Sequence, residues 1–417
     1  MGGALGGSGA PRGSRALDWT SLLRVAEREM ATPVLQGQLS ALRRDGLDLA
    51  PPPLDSAVPA AEGGRAAREG ARSPDPLEVL GRLGLVHEFR LREFQVRFGR
   101  LMESVSREGL EVLLLKGAAL VGPYYPSMID RPMSDVDLLV RGSDTERLRA
   151  LAADYGWRSG RSDIPDRAYD THHHQRPMSD AAGLWMGLEI HTGLFPQASP
   201  FALSADDLWR ESEPARLVGP DGSPLPGVRI PAPHHLLLHN ALHFTWSHAF
   251  RGVWKALRDV NVLVDSGRVD WDRFVEAASR SRGTTGAYWT LELAREWTGV
   301  AIPPGVLRTL DPGFSSPARR ALIRHFGAGI SPDPRLEPPT VVGRRLWELA
   351  MRPNRSGHGR LRPWNETEKW LADEEGQAAA ADDSGSRNSR PRESGPVFWA
   401  GKGFRALRYL AQLVRPV

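Results

Sequence analysis

Two aspartates stand two positions apart at the head of an apolar run, in Ser134-Asp135-Val136-Asp137-Leu138-Leu139-Val140, and this constrains the chain more than any other feature. Side chains of a strand alternate between faces, so Asp135 and Asp137 share one face while Val136 and Leu138 share the other. Adjacent carboxylates repel each other, and a strand that holds them side by side makes sense chiefly where a divalent cation sits between them. Upstream, the apolar run Val112 to Leu115 ends at Lys116-Gly117, and a Tyr/Pro-rich connection leads into the acidic run. Residues 111 to 141 therefore read as strand, glycine turn, connection and acidic strand.

At 417 residues the chain exceeds one typical domain, and its 41% hydrophobic and 25% charged residues supply ample core. It contains no cysteine, so disulfide scaffolds and thiolate metal sites are excluded and any ion must be held by oxygen or imidazole. The net charge of +4 is a small excess of 54 basic over 50 acidic residues, which gives no strong nucleic-acid signal. The first 15 residues lack the apolar core of a signal peptide and read as disordered. No apolar run approaches bilayer length, so no transmembrane segment is expected and the location is read as cytoplasmic.

Apolar spacing predicts N-terminal helices over 16–109, broken by a flexible Ala/Gly/Arg/Pro-rich insertion near 54–75, with a long helix from Pro76 to about Arg107. Residues 110–230 form the expected strand-bearing core. Within it, Ser143-Asp144-Thr145-Glu146 reads as a capping box starting a helix that ends near Gly156. Short extended segments follow and close on Gly187-Leu188-Glu189-Ile190-His191, where Glu189 and His191 share one face. Helical patterns at His234 to His248, Gly252 to Ser266, Trp271 to Arg282 and Thr284 to Thr298, with shorter ones near 316–327 and 340–352, define a helical domain over 231–352. A linker over 353–396 leads to a basic amphipathic helix over 397–417. The fold class is α+β: a small mixed β-sheet core with N-terminal helices and a C-terminal helical domain.

With Lys116-Gly117 and Ser134-Asp135-Val136-Asp137 in one stretch, the chain resembles the nucleotidyltransferase superfamily of the DNA polymerase beta type. It is most similar to the poorly characterised bacterial nucleotidyltransferase family 5 group, through its Leu-Lys-Gly, Arg-Pro-Met-Ser-Asp-x-Asp-Leu-Leu-Val and Glu-x-His series. The resemblance runs from roughly Leu17 to Pro304. It implies a Mg2+-dependent transfer, with Mn2+ as the alternative ion, of a nucleoside monophosphate from an NTP, ATP being the expected donor. It further implies that Asp135 and Asp137 bridge two ions and that Glu189 is the third carboxylate ligand. Two such ions roughly 3.5 to 4 Å apart stabilise both the attacking and leaving oxygens.

On this resemblance Lys116, Gly117, Ala118, Arg131 and Ser134 are the expected phosphate-side residues. Gly117 lets the backbone approach, Lys116 adds a point charge, and Arg131 lies in the connection 124–132 expected to form a loop over the site. Ala118 departs from the serine usual at that position, so one hydroxyl contact is missing. The acceptor is open: a small molecule, a sugar or a protein hydroxyl. The alternative is a protein on the same fold that binds nucleotide or a partner without turnover.

Other polar groups have plainer readings beside the functional one. His191 is either a site residue on the face of Glu189 or a hydrogen-bonded core histidine. Lys255, Arg258 and Asp259 lie where the second helix of the helical domain meets the cleft, and Lys255 and Asp259 are candidate substrate contacts. Adjacent strand residues face opposite ways, so His172-His173-His174 is read as a polar loop or substrate contact rather than a zinc site. His235, His239 and His243 recur every four residues on one helix; buried or interdomain positions are expected for them, with a helix facing the nucleotide as the alternative. The C-terminal basic helix is a candidate contact for a partner or an anionic membrane surface, with packing on its own domain as the plain alternative.

Overall fold

The computed structural model describes residues 76–159, 172–181, 186–196, 199–217, 225–250, 254–330 and 340–351, with isolated positions at 26, 35, 36, 39, 40, 43, 44, 169 and 409. The expected helices before residue 76, the 54–75 insertion, the 353–396 linker and the basic C-terminal helix lie outside the described residues, apart from those isolated positions. The chain divides into two compact units, residues 1–90 and 91–417, and the division falls within helix α1, Pro76–Arg107. Among the described residues, every strand belongs to the second unit.

In that unit α1 turns a stripe of Leu91, Phe94, Phe98, Leu101 and Val105 inward at helical spacing, and all five are buried. It is followed by β1, Val112–Leu114; α2, Lys116–Leu120; β2, Asp135–Leu139; a 3-10 turn, Gly142–Asp144; and α3, Thr145–Asp154. Next come β3, Trp157–Ser159; β4, Met178–Asp180; β5, Gly187–His191; α4, Ala205–Arg210; β6, Ser212–Pro214; and β7, Val228–Pro231. The seven strands form one mixed sheet in the order β3-β4-β5-β2-β1-β7-β6. β1 pairs antiparallel with β2 and parallel with β7, and β2 pairs parallel with β5. The α+β class and mixed sheet agree with the pattern read from the sequence. β6 and β7, too short to show an alternation, extend the sheet beyond the strands that reading identified.

The expected capping box at Ser143 does not form. Ser143 lies inside the 3-10 turn, which moves the N-cap of α3 to Asp144, and no side chain caps that helix. A capping box is present instead at α4, where Ser204 accepts from the Asp207 amide and Asp207 reaches back to the Ser204 backbone.

A helical layer packs after the sheet: α5, Pro233–Trp246; α6, Trp254–Asp265; α7, Trp271–Arg280; α8, Thr284–Thr298; α9, Pro304–Leu310; α10, Ser316–Ile330; and α11, Thr340–Ala350. α5 starts with proline at its first position, where a missing N–H costs nothing. It is apolar on nearly every side because it packs against α6, α7 and α8 and also touches α2. α11 docks on this layer through the Trp347 indole, which donates to the Thr245 carbonyl at 2.8 Å, while the Trp289 indole donates to the Ala350 carbonyl at 3.0 Å.

The connection from α2 to β2 is held to α6 by buried polar contacts. The Arg131 guanidinium donates from Nε and Nη2 to the two Asp259 oxygens, each at 2.7 Å, and from Nη1 to the Pro132 carbonyl at 2.7 Å. The Tyr125 hydroxyl donates to Asp259 at 3.0 Å, and Arg258 donates to the Asp130 carbonyl at 2.7 Å while lying over the Tyr125 ring. Both Arg131 and Asp259 are buried.

A buried pair of this kind costs desolvation that its own attraction roughly offsets, whereas removal of one partner strands a charge. Asp259→Ala is therefore expected to lower unfolding stability by about 3–5 kcal/mol. Arg131→Met/Asp259→Leu should cost clearly less than that single change. Urea denaturation midpoints at unchanged m-value measure both, and equal losses would contradict the assignment.

Candidate active site

β2 and β5 run parallel and in register, so Asp137 faces Glu189, Leu139 faces His191 and Asp135 faces Gly187. Alternation along each strand then gathers Asp135, Asp137, Glu189 and His191 on one face of the sheet. The glycine opposite Asp135 is a matter of space: a Cβ on Gly187 would stand 3.3 Å from the Asp135 Cβ. Lys116 reaches the same face from the turn that ends β1. Its φ of 47° is a left-handed value that a lysine adopts only against a small conformational penalty.

Asp137 is the hub. Its Oδ1 accepts from Lys116 Nζ at 2.7 Å and bonds His191 Nε2 at 2.9 Å, and His191 Nε2 lies 3.5 Å from Glu189 Oε2. Asp137 and His191 are buried, while Glu189 is half-buried.

The electrostatics follow from this geometry. Burial would raise the Asp137 pKa, yet Lys116 and the bond from His191 hold it well below the ordinary carboxylate range. Asp135, without a direct cationic partner of that kind, is pushed up by burial and by the Asp137 charge, against a smaller pull from Lys116 and Lys255. Burial also works against Glu189, whose pKa is lowered by its bond to His191. It would depress His191 and Lys116, but the neighbouring carboxylates outweigh it and both are raised.

Asp137, Glu189 and His191 each offer a ligand atom, and these atoms lie within 4.8 Å of one another. With Asp135 alongside, the face carries three carboxylates against one lysine and one histidine. This oxygen-rich donor set with excess negative charge suits a hard divalent ion, and the residues present therefore fit Mg2+.

The other residues singled out in the sequence take varied places. Ser134 lies beside Asp135, its hydroxyl 3.3 Å from Oδ1. Gly117 occupies the second position of the short α2, and a Cβ there would meet the Arg131 guanidinium at 3.3 Å. Its bareness thus leaves room for Arg131. That arginine was expected to reach phosphate, but its guanidinium is committed to Asp259 and the Pro132 carbonyl. Asp259 lies in the same buried network, and the Arg131 it holds feels the charge of Asp135. Ala118 is buried, and Lys255 acts on the site through its field at Asp135.

Several neighbours of the face were placed by the fold in ways the sequence did not show. His172 and His173 lie in a bend, so the alternation expected of a strand does not apply, and the three rings of His172, His173 and His174 converge. The rings of His173 and His174 also lie 5.4 and 5.3 Å from that of His191. From the helical layer, His239, His243 and His248 all feel the field of Lys116 and Asp137. The four-residue histidine spacing was visible, but the contact of α5 with α2 that aims it at the site was not.

Three comparisons with known proteins stand beside this geometry. The sequence model of a family described as an uncharacterised nucleotidyltransferase matches residues 15–299. No curated protein and no solved structure matches the chain.

His235 and His239 are fully buried; neither ring nitrogen of His235 has a hydrogen-bond partner among the described residues, and the His239 ring interacts with the Leu194 backbone. Burial lowers their pKa values to about 4 and about 3. Below the unfolded-state value of about 6.5 the unfolded chain binds protons that the native imidazoles refuse, so stability is full above that pH and falls as pH drops towards the folded values. In His239→Leu the slope of stability against pH between 6 and 4.5 should shrink by roughly 1.4 kcal/mol per pH unit, the share of one proton. Urea titrations across that range check this, and an unchanged slope would refute it.

Proposed function

Because the chain belongs to this family of uncharacterised nucleotidyltransferases, we propose that it moves a nucleoside monophosphate from a Mg2+-bound NTP to a hydroxyl or phosphate of an acceptor. The observation that carries the reading is the register of β2 against β5, which sets Glu189 opposite Asp137 with Asp135 on the same face. Lys116, bonded to that Asp137, completes the set.

In the reaction an acceptor oxygen bonds to the α-phosphorus as the bond to the pyrophosphate oxygen breaks, and the acceptor proton passes to water. Asp135, Asp137 and Glu189 would hold the metal. Bound there, Mg2+ neutralises phosphate charge and stabilises the attacking and leaving oxygens.

The protein's own groups do the positioning. His191, hydrogen-bonded to Asp137 and near Glu189, fixes the orientation of both carboxylates, the part a histidine behind metal ligands commonly plays. The Lys116 ammonium, already drawn onto the acidic face, has only to swing from Asp137 towards the triphosphate. Ser134 stands at the edge of Asp135 with a hydroxyl to offer. Arg131, Asp259 and Tyr125 hold the connection 124–132 against α6 and so fix the approach to the face without touching substrate.

Retention of all three carboxylates with their lysine favours turnover over simple nucleotide binding. ATP is the donor we infer and Mn2+ the alternative ion. The acceptor remains a class: small molecule, sugar or protein hydroxyl.

The test is transfer of label from α-labelled NTPs, with Mg2+ and cell extract as acceptor source, comparing wild type with Asp135→Ala/Asp137→Ala. Loss of several kcal/mol of transition-state stabilisation predicts a rate drop of roughly two orders of magnitude or more. Mg-NTP binding without transfer or pyrophosphate release, across a broad acceptor set, would overturn the enzyme reading in favour of a binding protein.

A further inference from the structure

Two groups of metal-binding side chains besides the carboxylate face converge among the described residues. One, Glu211 with His234 and His235, already has its charge met: Glu211 Oε2 accepts from Arg273 at 3.1 Å and bonds His234 at 3.0 Å. The other, His172, His173 and His174, has no carboxylate or arginine among its three members. The transferase chemistry leaves it unused.

We propose that these three imidazoles bind one divalent transition metal of the zinc, cobalt or nickel class, at a site of their own that adjoins the carboxylate face through His191. Each residue offers one ring nitrogen, and these atoms lie within 4.8 Å of one another. The ring centroids are 4.3, 4.1 and 4.7 Å apart pairwise. With Zn–N bonds of about 2.0–2.1 Å, tetrahedral ligand nitrogens stand roughly 3.3 Å apart, so binding requires the rings to rotate and fan outward as their nitrogens converge on the ion.

The hydrogen bonds leave the needed lone pairs exposed. His174 Nδ1 donates to the Gln175 carbonyl at 2.7 Å, which fixes the tautomer and leaves the lone pair on Nε2. His173 Nδ1 is buried without a partner. His172 Nδ1 lies 3.5 Å from the His174 amide, too long a contact to hold its tautomer.

Donor chemistry sets the class of ion. Three imidazoles with no carboxylate or thiolate among them suit zinc, nickel and cobalt and suit Mg2+ poorly. Three protein ligands also leave one tetrahedral position for water or an oxygen of a bound molecule.

The backbone ties the tract to the end of β5. The amides of Thr192 and Gly193 both donate to the His173 carbonyl at 3.0 Å, and the Gln175 amide donates to the Ile190 carbonyl at 2.7 Å. An ion here therefore stands beside the strand that carries Glu189 and His191. The inference goes beyond the transferase reading and does not rest on it.

Cobalt(II) titration of the untagged full chain in excess Mg2+, followed by visible absorption, tests the site. We expect one equivalent bound with the d–d bands of a four-coordinate site of three imidazole nitrogens and one oxygen. That signal should persist in Asp135→Asn/Asp137→Asn and weaken at least about tenfold in affinity in His172→Gln/His174→Gln. His173→Gln gives a second reading should the double variant lose its circular dichroism. Cobalt that Mg2+ displaces, that vanishes with the aspartate variant but survives the histidine ones, or that never binds, would overturn the proposal.

Discussion

The parallel pairing of β2 with β5 is the constraint on which the site depends. A parallel ladder in register places facing residues on the same side of the sheet, so Glu189 must share a face with Asp137, and Asp135 lies one alternation along. Three carboxylates are thereby forced together, and the fold must supply positive charge to hold them. It does so with Lys116 from the end of β1 and His191 from β5 itself. Gly187 removes the one side chain that would crowd Asp135.

This arrangement separates the roles of two chemically identical aspartates. Asp137, gripped by a lysine and a histidine, stays ionised far below its usual range, whereas Asp135, pressed by burial and by its neighbour's charge, is raised. Burial and Lys116 thus push two neighbouring carboxylates in opposite directions. The buried Arg131–Asp259 pair fixes the connection 124–132, which leads into Asp135, to α6.

What the sequence made legible was local. The alternation through Asp135 and Asp137, the turn at Lys116-Gly117 and the shared face of Glu189 and His191 can all be read from neighbouring residues, and so can the α+β class. Long-range pairing could not be read in this way. Arg131 and Asp259 are 128 residues apart, and nothing in either segment announces that the arginine turns to a carboxylate in the helical layer. The histidine tract was read as a polar loop or substrate contact, and the bend at His172 and His173 agrees with a loop while removing the strand alternation that had argued against a shared ion. At Ser143 the residue types of a capping box were present, but a 3-10 turn shifted the helix start by one residue. β6 and β7 were too short to carry a period, although their pairing extends the sheet past β1.

The central claim is that the acidic face exists to hold a metal-bound triphosphate, with Lys116 resting on Asp137 until phosphate replaces it. Isothermal titration with a non-hydrolysable NTP analogue, run with Mg2+ and again in excess chelator, tests this most directly. The account predicts binding that depends on Mg2+ and that Asp137→Asn abolishes. Equal affinity in chelator, or binding untouched by that substitution, would contradict it.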